Sequence, residues 1–390
     1  MAMETHRLDH ASRRLLLLAA RGSWNVIQRA RAVQLAADVA DWDAFCEVAI
    51  RSFGACLAYR LLSTLDAGSV PPAILARMHQ VSRMVAVRSL QIEGAMLDFM
   101  SGCLEPLGAR HAFFKGASLA HRYHAVPAAR PSRDVDVLVD QAMAFAVVRH
   151  AREAGYTPAR PIGPTDRDLA RWMKQETVYG MRSPSGVLIE IHHSLDHGDG
   201  VLDSSRMLGR AETIDFRGRS LPVLRTSDLF VYMCMHHTRH FWSHLHWYAD
   251  MDAITAHPQF DLAEVREVAA SVRLGPTIEA CLQLHEFARS ADWPETLSLE
   301  RTASEALLAR SVECLEGGPA REVELRATRL SPDRAFAWQS SMSERAALFA
   351  RRIRRRVIKQ FRRITSGVAR RVRDGFKGVG DSDGNEGNRL

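Results

Sequence analysis

Apolar positions recur at helical spacing through the first hundred residues. Between residues 24 and 65, Trp42, Phe45, Ala49, Phe53, Leu57 and Leu61 fall three or four apart behind a capping Asp41, which predicts a helical hairpin or small bundle. After the break from Gly68 to Pro72, a longer helical pattern runs through Ile74, Met78, Val81, Val85, Leu90, Met96 and Phe99 to about Leu104. Pro106 and Gly108 interrupt it there.

The period then changes. Residues 111–114 read as a short apolar strand, Gly116 opens a helix, and residues 134–139 read as a second strand, followed by a helix over 141–154 that Gly155 ends. Residues 176–181 and 187–192 read as a hairpin turning through Ser183, Pro184 and Gly186. From Thr226 the pattern is helical again. Ser227 and Asp228 supply a capping signal, residues 229–255 are rich in His and aromatics up to His257 and Pro258, and further helices fill 261 to about 330, with a boundary at Gly317, Gly318 and Pro319.

These elements predict an α+β fold, mainly helical, with one small mixed sheet. The expected regions are helical over 1–105, α/β over 106–225, helical over 226–330, a basic amphipathic helical tail over 331–378 and a disordered end over 379–390. With 390 residues, 46% of them hydrophobic, the chain is long enough for a sizeable core. The six cysteines are scattered without a CxxC pair, which argues for a reducing compartment and against a disulfide framework or a cysteine-based zinc site. The apolar run 15–20 behind Arg13 and Arg14 is too short for a secretion signal and meets Arg21 and Gly22 at once, so it belongs to a helix. No apolar stretch is long enough to cross a bilayer, and the expected location is cytoplasmic.

Charge changes the picture at one end only. Residues 351–377 carry twelve Lys and Arg against the single Asp374, so this tail's +11 exceeds the chain's net +7 and leaves the remainder near −4. Ile353, Val357, Phe361, Ile364, Val368, Val372 and Phe376 draw an apolar stripe through that basic helix. Such a helix reads as a contact for RNA or for an anionic membrane surface, placing the protein peripherally at the membrane, or as a stripe packed on the protein's own body.

The candidate chemistry centres on residues 113–139. Side chains alternate along a strand, so Asp134 and Asp136 share one face while Val135, Val137 and Val139 take the other. Two carboxylates on one face repel unless a cation lies between them, and hard oxygen ligands suit magnesium; the bland alternative is a solvated strand edge. Upstream, a strand leading through Lys115 and Gly116 into a helix forms a phosphate cradle, to which Ser118 adds a hydroxyl. Arg130 or Arg133 can offset charge developing during transfer. Glu190 opposes Ile189 and Ile191 on its strand. It is a third carboxylate for a two-metal site, or an ion-pair partner of Arg130 or Arg182. His192 orients that acid, contacts nucleotide or is an ordinary buried histidine. His236, His240 and His244 recur every four residues but lack the acid and second-helix ligands of a zinc site. Their helix is expected to pack on the sheet with Trp247 in the core and Asp250 bonded to a helix terminus or a core arginine; nucleotide-base or acceptor binding is an intermediate reading.

In order, FKGASLAHRYH, RPSRDVDVLV and IEIHHSL resemble a largely uncharacterised bacterial nucleotidyltransferase family within the DNA polymerase beta superfamily, over roughly residues 40–255. The resemblance implies that Asp134 and Asp136 are the metal-binding pair, Glu190 the third acid, Lys115, Gly116 and Ser118 the phosphate-binding turn, and Arg130 the arginine four positions before the first aspartate. It implies a nucleotidyltransferase core using two Mg2+ ions to move an NMP from an NTP to an acceptor hydroxyl or phosphate with release of pyrophosphate. A small molecule or peptide of a biosynthetic pathway is the favoured acceptor. The alternative is a catalytically inactive nucleotide-binding module tethered to RNA or membrane by its tail.

Overall fold

A computed structural model describes residues 8–160, 165–174, 176–195, 201–290 and 303–327, with a few positions between 343 and 357. Residues 1–340 form one compact unit and 341–390 another. The first unit begins with α1 (His10–Ala19), α2 (Val26–Ala37), α3 (Trp42–Arg51) and α4 (Ala55–Leu62). Asp9, Asn25 and Asp41 accept hydrogen bonds from the first-turn amides of α1, α2 and α3, which satisfies donors a helix cannot pair internally. The long α5 (Pro72–Phe99) starts on a proline at its first position and runs on through an irregular turn to Gly108, which takes a left-handed φ of 58°.

The α/β part contains β1 (His111–Phe113), α6 (Gly116–Tyr123), β2 (Asp134–Val139), α7 (Ala144–Glu153), β3 (Thr157–Pro158), α8 (Asp166–Met173), β4 (Val178–Arg182), β5 (Leu188–His192), α9 (Ser204–Gly209), β6 (Glu212–Phe216) and β7 (Arg219–Val223). The strands form a seven-stranded mixed sheet in the order β3-β4-β5-β2-β1-β7-β6. Strand β2 runs parallel to β5 and β1 parallel to β7, while the other neighbours are antiparallel. The chain then returns to helix with α10 (Thr226–Arg239), α11 (Leu245–Thr255), α12 (Leu262–Ser271), α13 (Gly275–Ser290) and α14 (Ala303–Ala327), the last kinked at Gly318. The fold is therefore α+β and mainly helical, as the periodicity implies.

Two hydrophobic cores lie on the two faces of the sheet. Val135, Val137, Val139, Ile189, Ile191 and Phe113 pack on the C-terminal half of α5 and on α7, through Ile92, Met96, Phe99, Val147 and Val148. Each such side chain contributes roughly 1.5–3 kcal/mol on leaving water. On the opposite face, Ala112, Phe114 and Leu138 join the larger core built from α1 to α4 and α10 to α13. The alternation that buries the valines against α5 and α7 thus turns the β2 aspartates toward the face that carries the larger core.

Two features depart from the sequence pattern. The segment 229–255 is broken at residues 240–244, where Phe241 and Trp242 adopt left-handed φ values of 54° and 51°. No glycine or proline marks this break; both aromatics are buried, and tertiary packing holds the turn. The β6–β7 hairpin carries a readable signal in Arg217 and Gly218, whose positive φ values of 54° and 77° match a two-residue primed turn. The six cysteines are all buried free thiols. Among the described residues, no helix is long and apolar enough to cross a membrane. Within the second unit, Ile353 and Val357 are helical and exposed; most of the basic stripe, and the terminal segment 379–390, lie outside the described residues.

Candidate active site

The turn between β1 and α6 is pressed against the start of β2. Gly116 has a φ of 58°, and a Cβ there would lie 2.7 Å from Ser132 Oγ and 3.1 Å from the Asp134 carbonyl oxygen. Glycine is needed both for its left-handed backbone and for this approach. Gly116→Ala is accordingly expected to cost about 1–3 kcal/mol of stability and to lower activity. Chemical denaturation checks this, and a wild-type midpoint would show that the turn has slack. Ser118 is buried in the first turn of α6, where its hydroxyl donates to the Lys115 carbonyl at 2.9 Å.

Lys115 reaches across to the acids. Its Nζ lies 3.5 Å from Asp136 Oδ1 and over the rings of Phe114 and Tyr232 at 5.3 and 5.2 Å. Burial disfavours its ammonium, but the charge of Asp136, then Tyr232 and Glu190, outweigh burial and raise its pKa. Strand register does the rest, because Asp136 sits directly opposite Glu190 and Leu138 opposite His192 on the parallel β2–β5 pair. His192 Nε2 is 2.9 Å from Asp136 Oδ1 and 3.7 Å from Glu190 Oε2. One ligand atom from each of Asp136, Glu190 and His192 lies within 4.8 Å of the others, and among the described residues this is the one group of three or more His, Cys, Asp or Glu side chains so placed that it could hold a metal ion. Asp134 is one pleat away on the same face of β2.

The two aspartates are electrostatically unlike. Burial opposes ionisation of Asp136, yet the charge of Lys115 and the hydrogen bond from His192 outweigh it and lower its pKa to about 2. Burial, reinforced by the charges of Asp136 and Glu190, pushes Asp134 up to about 7. For His192, burial disfavours the imidazolium, but the bonds to Asp136 and Glu190 prevail and raise its pKa. The site is thus an acid cluster only partly neutralised by Lys115 and by the charge of Arg133 acting on Asp134, with oxygen and nitrogen donors whose chemistry fits a divalent cation.

The arginines divide. Arg130 is buried, and its Nε and Nη2 donate to Asp250 Oδ1 and Oδ2 at 2.9 and 2.8 Å; His124 Nε2 meets the same carboxylate at 2.8 Å. Arg133 is exposed and lies over the ring of Phe53, 4.7 Å from its centroid. His236, His240 and His244 belong to a ring cluster around Trp247.

A family model described as an uncharacterised nucleotidyltransferase matches residues 38–288. The chain belongs to this family. The match extends the span read from the motifs at both ends, from just before α3 to near the end of α13, and leaves α14 outside. No curated protein matches the chain. Family membership makes the protein an enzyme that transfers nucleotidyl groups, with an NTP substrate and, in general, a divalent metal. In this nucleotidyltransferase, the Gly116 turn, Asp134, Asp136, Glu190 and His192 all lie within the matched span. Sequence reasoning missed Phe53 and Tyr232, which approach the site from α3–α4 and α10. Their apolar spacing reads as core, and no local signal separates an aromatic that packs from one that holds a cation.

Proposed function

We propose that this nucleotidyltransferase moves an NMP from an NTP to an acceptor hydroxyl or phosphate and releases pyrophosphate, with Mg2+ as the metal. The observation that carries this reading is the placement of Asp136 opposite Glu190 on parallel strands, with His192 bonded to the aspartate and Lys115 beside it. Asp136, Glu190 and His192 would hold one ion, and Asp134 with Asp136 a second. Bound there, such ions supply positive charge against the phosphate oxygens and ease ionisation of the acceptor hydroxyl. Lys115 and Arg133 are the cations we assign to the phosphates, within the turn formed by Gly116 and Ser118; Arg130 anchors the loop that leads into β2. Buried free thiols and an NTP substrate support a cytoplasmic setting. We assign the tail, residues 351–377, to an anionic partner, RNA or a membrane surface, on the strength of its charge. A small molecule or peptide is the acceptor we favour.

Labelled ATP, GTP, CTP and UTP, supplied with magnesium and a cell lysate, test the reading. Wild-type protein is expected to transfer label to an acceptor fraction, and the Asp134→Ala, Asp136→Ala double variant to transfer none. Undiminished transfer by the double variant would overturn the assignment.

A further inference from the structure

Arg133 carries the one arginine side chain of the site loop that makes no ion pair or hydrogen bond with a carboxylate, although its charge acts on the neighbouring Asp134. It directly precedes Asp134, it is exposed, and among the described residues no hydrogen-bond or ion-pair partner meets its guanidinium. What holds it is the face of Phe53. That ring in turn stacks on His244 at 4.9 Å and 8°, His244 on Trp247 at 4.5 Å and 15°, and Trp247 on His237 at 4.2 Å and 6°. A run of near-parallel rings therefore begins in the core and ends under the guanidinium beside the acids.

The run is fixed by two interlocked turns. Phe53 has a φ of 58°, and with Phe241 and Trp242 it makes three of the five non-glycine left-handed residues among those described. Such residues carry a backbone cost that only the surrounding structure can hold, and these three converge on one place. The Leu245 amide donates to the Ser52 carbonyl at 2.8 Å, and Gly54 leaves room for Leu245, whose Cδ2 a Cβ at that position would overlap. Glu322, from α14, accepts from Ser243 Oγ at 2.8 Å and meets His240 Nδ1 at 2.7 Å. Burial keeps the stacked imidazoles uncharged, pushing His244 down to about 4 and His237 well below its ordinary value, so the rings offer Arg133 a neutral face.

We propose that Phe53 is a positioning residue that holds the Arg133 guanidinium, with its N–H edges unspent, as a preorganised clamp for the polyphosphate of the NTP. The planar fork matches phosphate oxygens, and fixing it beforehand removes ordering cost from binding. This rests on the nucleotidyl-transfer reading. Affinity of wild type and variants for magnesium ATP, GTP, CTP and UTP is measured by calorimetry alongside thermal stability, and the tightest-binding nucleotide is carried through the variants. Phe53→Leu, which keeps an apolar side chain without the flat face, is expected to weaken binding about three- to fivefold, with Phe53→Tyr close to wild type. Arg133→Ala is expected to weaken binding by at least tenfold and to make Phe53→Leu silent. Arg133→Lys sits at an exposed position and keeps the charge without the planar face, so it reads the same contact without touching the core; it is expected to lose at least as much as Phe53→Leu. Equal losses from Phe53→Leu in both backgrounds, or wild-type affinity in Arg133→Lys, would overturn the role of Phe53 while leaving nucleotidyl transfer standing. Wild-type protein that binds none of the four nucleotides would overturn the transfer reading and this inference with it.

Discussion

Asp134→Asn is expected to raise the melting temperature of the metal-free protein by a few degrees and to cut nucleotidyl transfer by roughly three orders of magnitude. The two effects have one cause. Asp134 shares a strand face with Asp136, close to Glu190, and burial together with those charges pushes its pKa up to about 7. Native protein then holds this proton more tightly than the unfolded chain does. Stability contributed by the protonated form is present at low pH, falls as pH rises from about 4 towards 7, and above that the ionised carboxylate is carried at full cost. Asparagine has nearly the same shape without the charge. The variant should lose that downward slope and, at pH 8, melt above wild type when no metal is present. A divalent cation must displace the same proton, so the rise in melting temperature that magnesium produces in wild type should be larger at pH 8 than at pH 6. Asp136→Asn should have the opposite effect on stability, because Lys115 and His192 would lose the carboxylate that holds them. Thermal scans at pH 6, 7 and 8 with and without magnesium, beside the labelled-transfer assay, check these outcomes. A metal-free Asp134→Asn protein that melts below wild type would refute the electrostatic account, and one that transfers normally would remove Asp134 from the chemistry.

Asp250→Asn is expected to cost about 3–5 kcal/mol of stability. Asp250 is fully buried on α11, and burial opposes its ionisation, but the charge of Arg130 and the bond from His124 hold its carboxyl well below the usual range. The amide would accept one hydrogen bond where the carboxylate accepts two from Arg130, and it would leave the guanidinium buried without a counter-charge. A carboxyl depressed in this way contributes stability above its unfolded pKa near 3.8, and the contribution is lost only as pH falls towards the folded value, so mild acid should not release the pair. Arg130 lies four residues before Asp134, at the entry to β2. Loosening it should therefore also lower transfer in whatever protein remains folded. Urea denaturation measures the loss, and a midpoint unchanged from wild type would show that the pair contributes specificity rather than stability.

The local parts of this site were legible in the chain itself. Alternation along DVDVLV places both aspartates on one face whatever the rest of the fold does, because the pleat has a period of two. Strand, Lys115, Gly116 and helix follow from residue type and order, and Asp9, Asn25 and Asp41 cap their helices through amides a few residues away. Glu190 was recognisable as an out-of-place carboxylate among isoleucines, a third acid beside Asp134 and Asp136 or an ion-pair partner of Arg130 or Arg182, but which residue it faces was not legible. Pairing across the sheet is decided by how strands slide until their apolar faces are buried, and only that register sets Asp136 against Glu190 and brings His192 to the aspartate. Arg130 and Asp250 are separated by 120 residues, and the break at 240–244 has no glycine or proline to announce it. Phe53 looked like one more core position in a helical stripe. The chain alone determined which residues share a strand face or a helix end, since those relations depend on backbone geometry over a few residues. The tertiary structure decided which charges meet and which aromatic lies under which cation. Burial and desolvation act between distant segments, and they set those contacts only when the two cores close on the sheet.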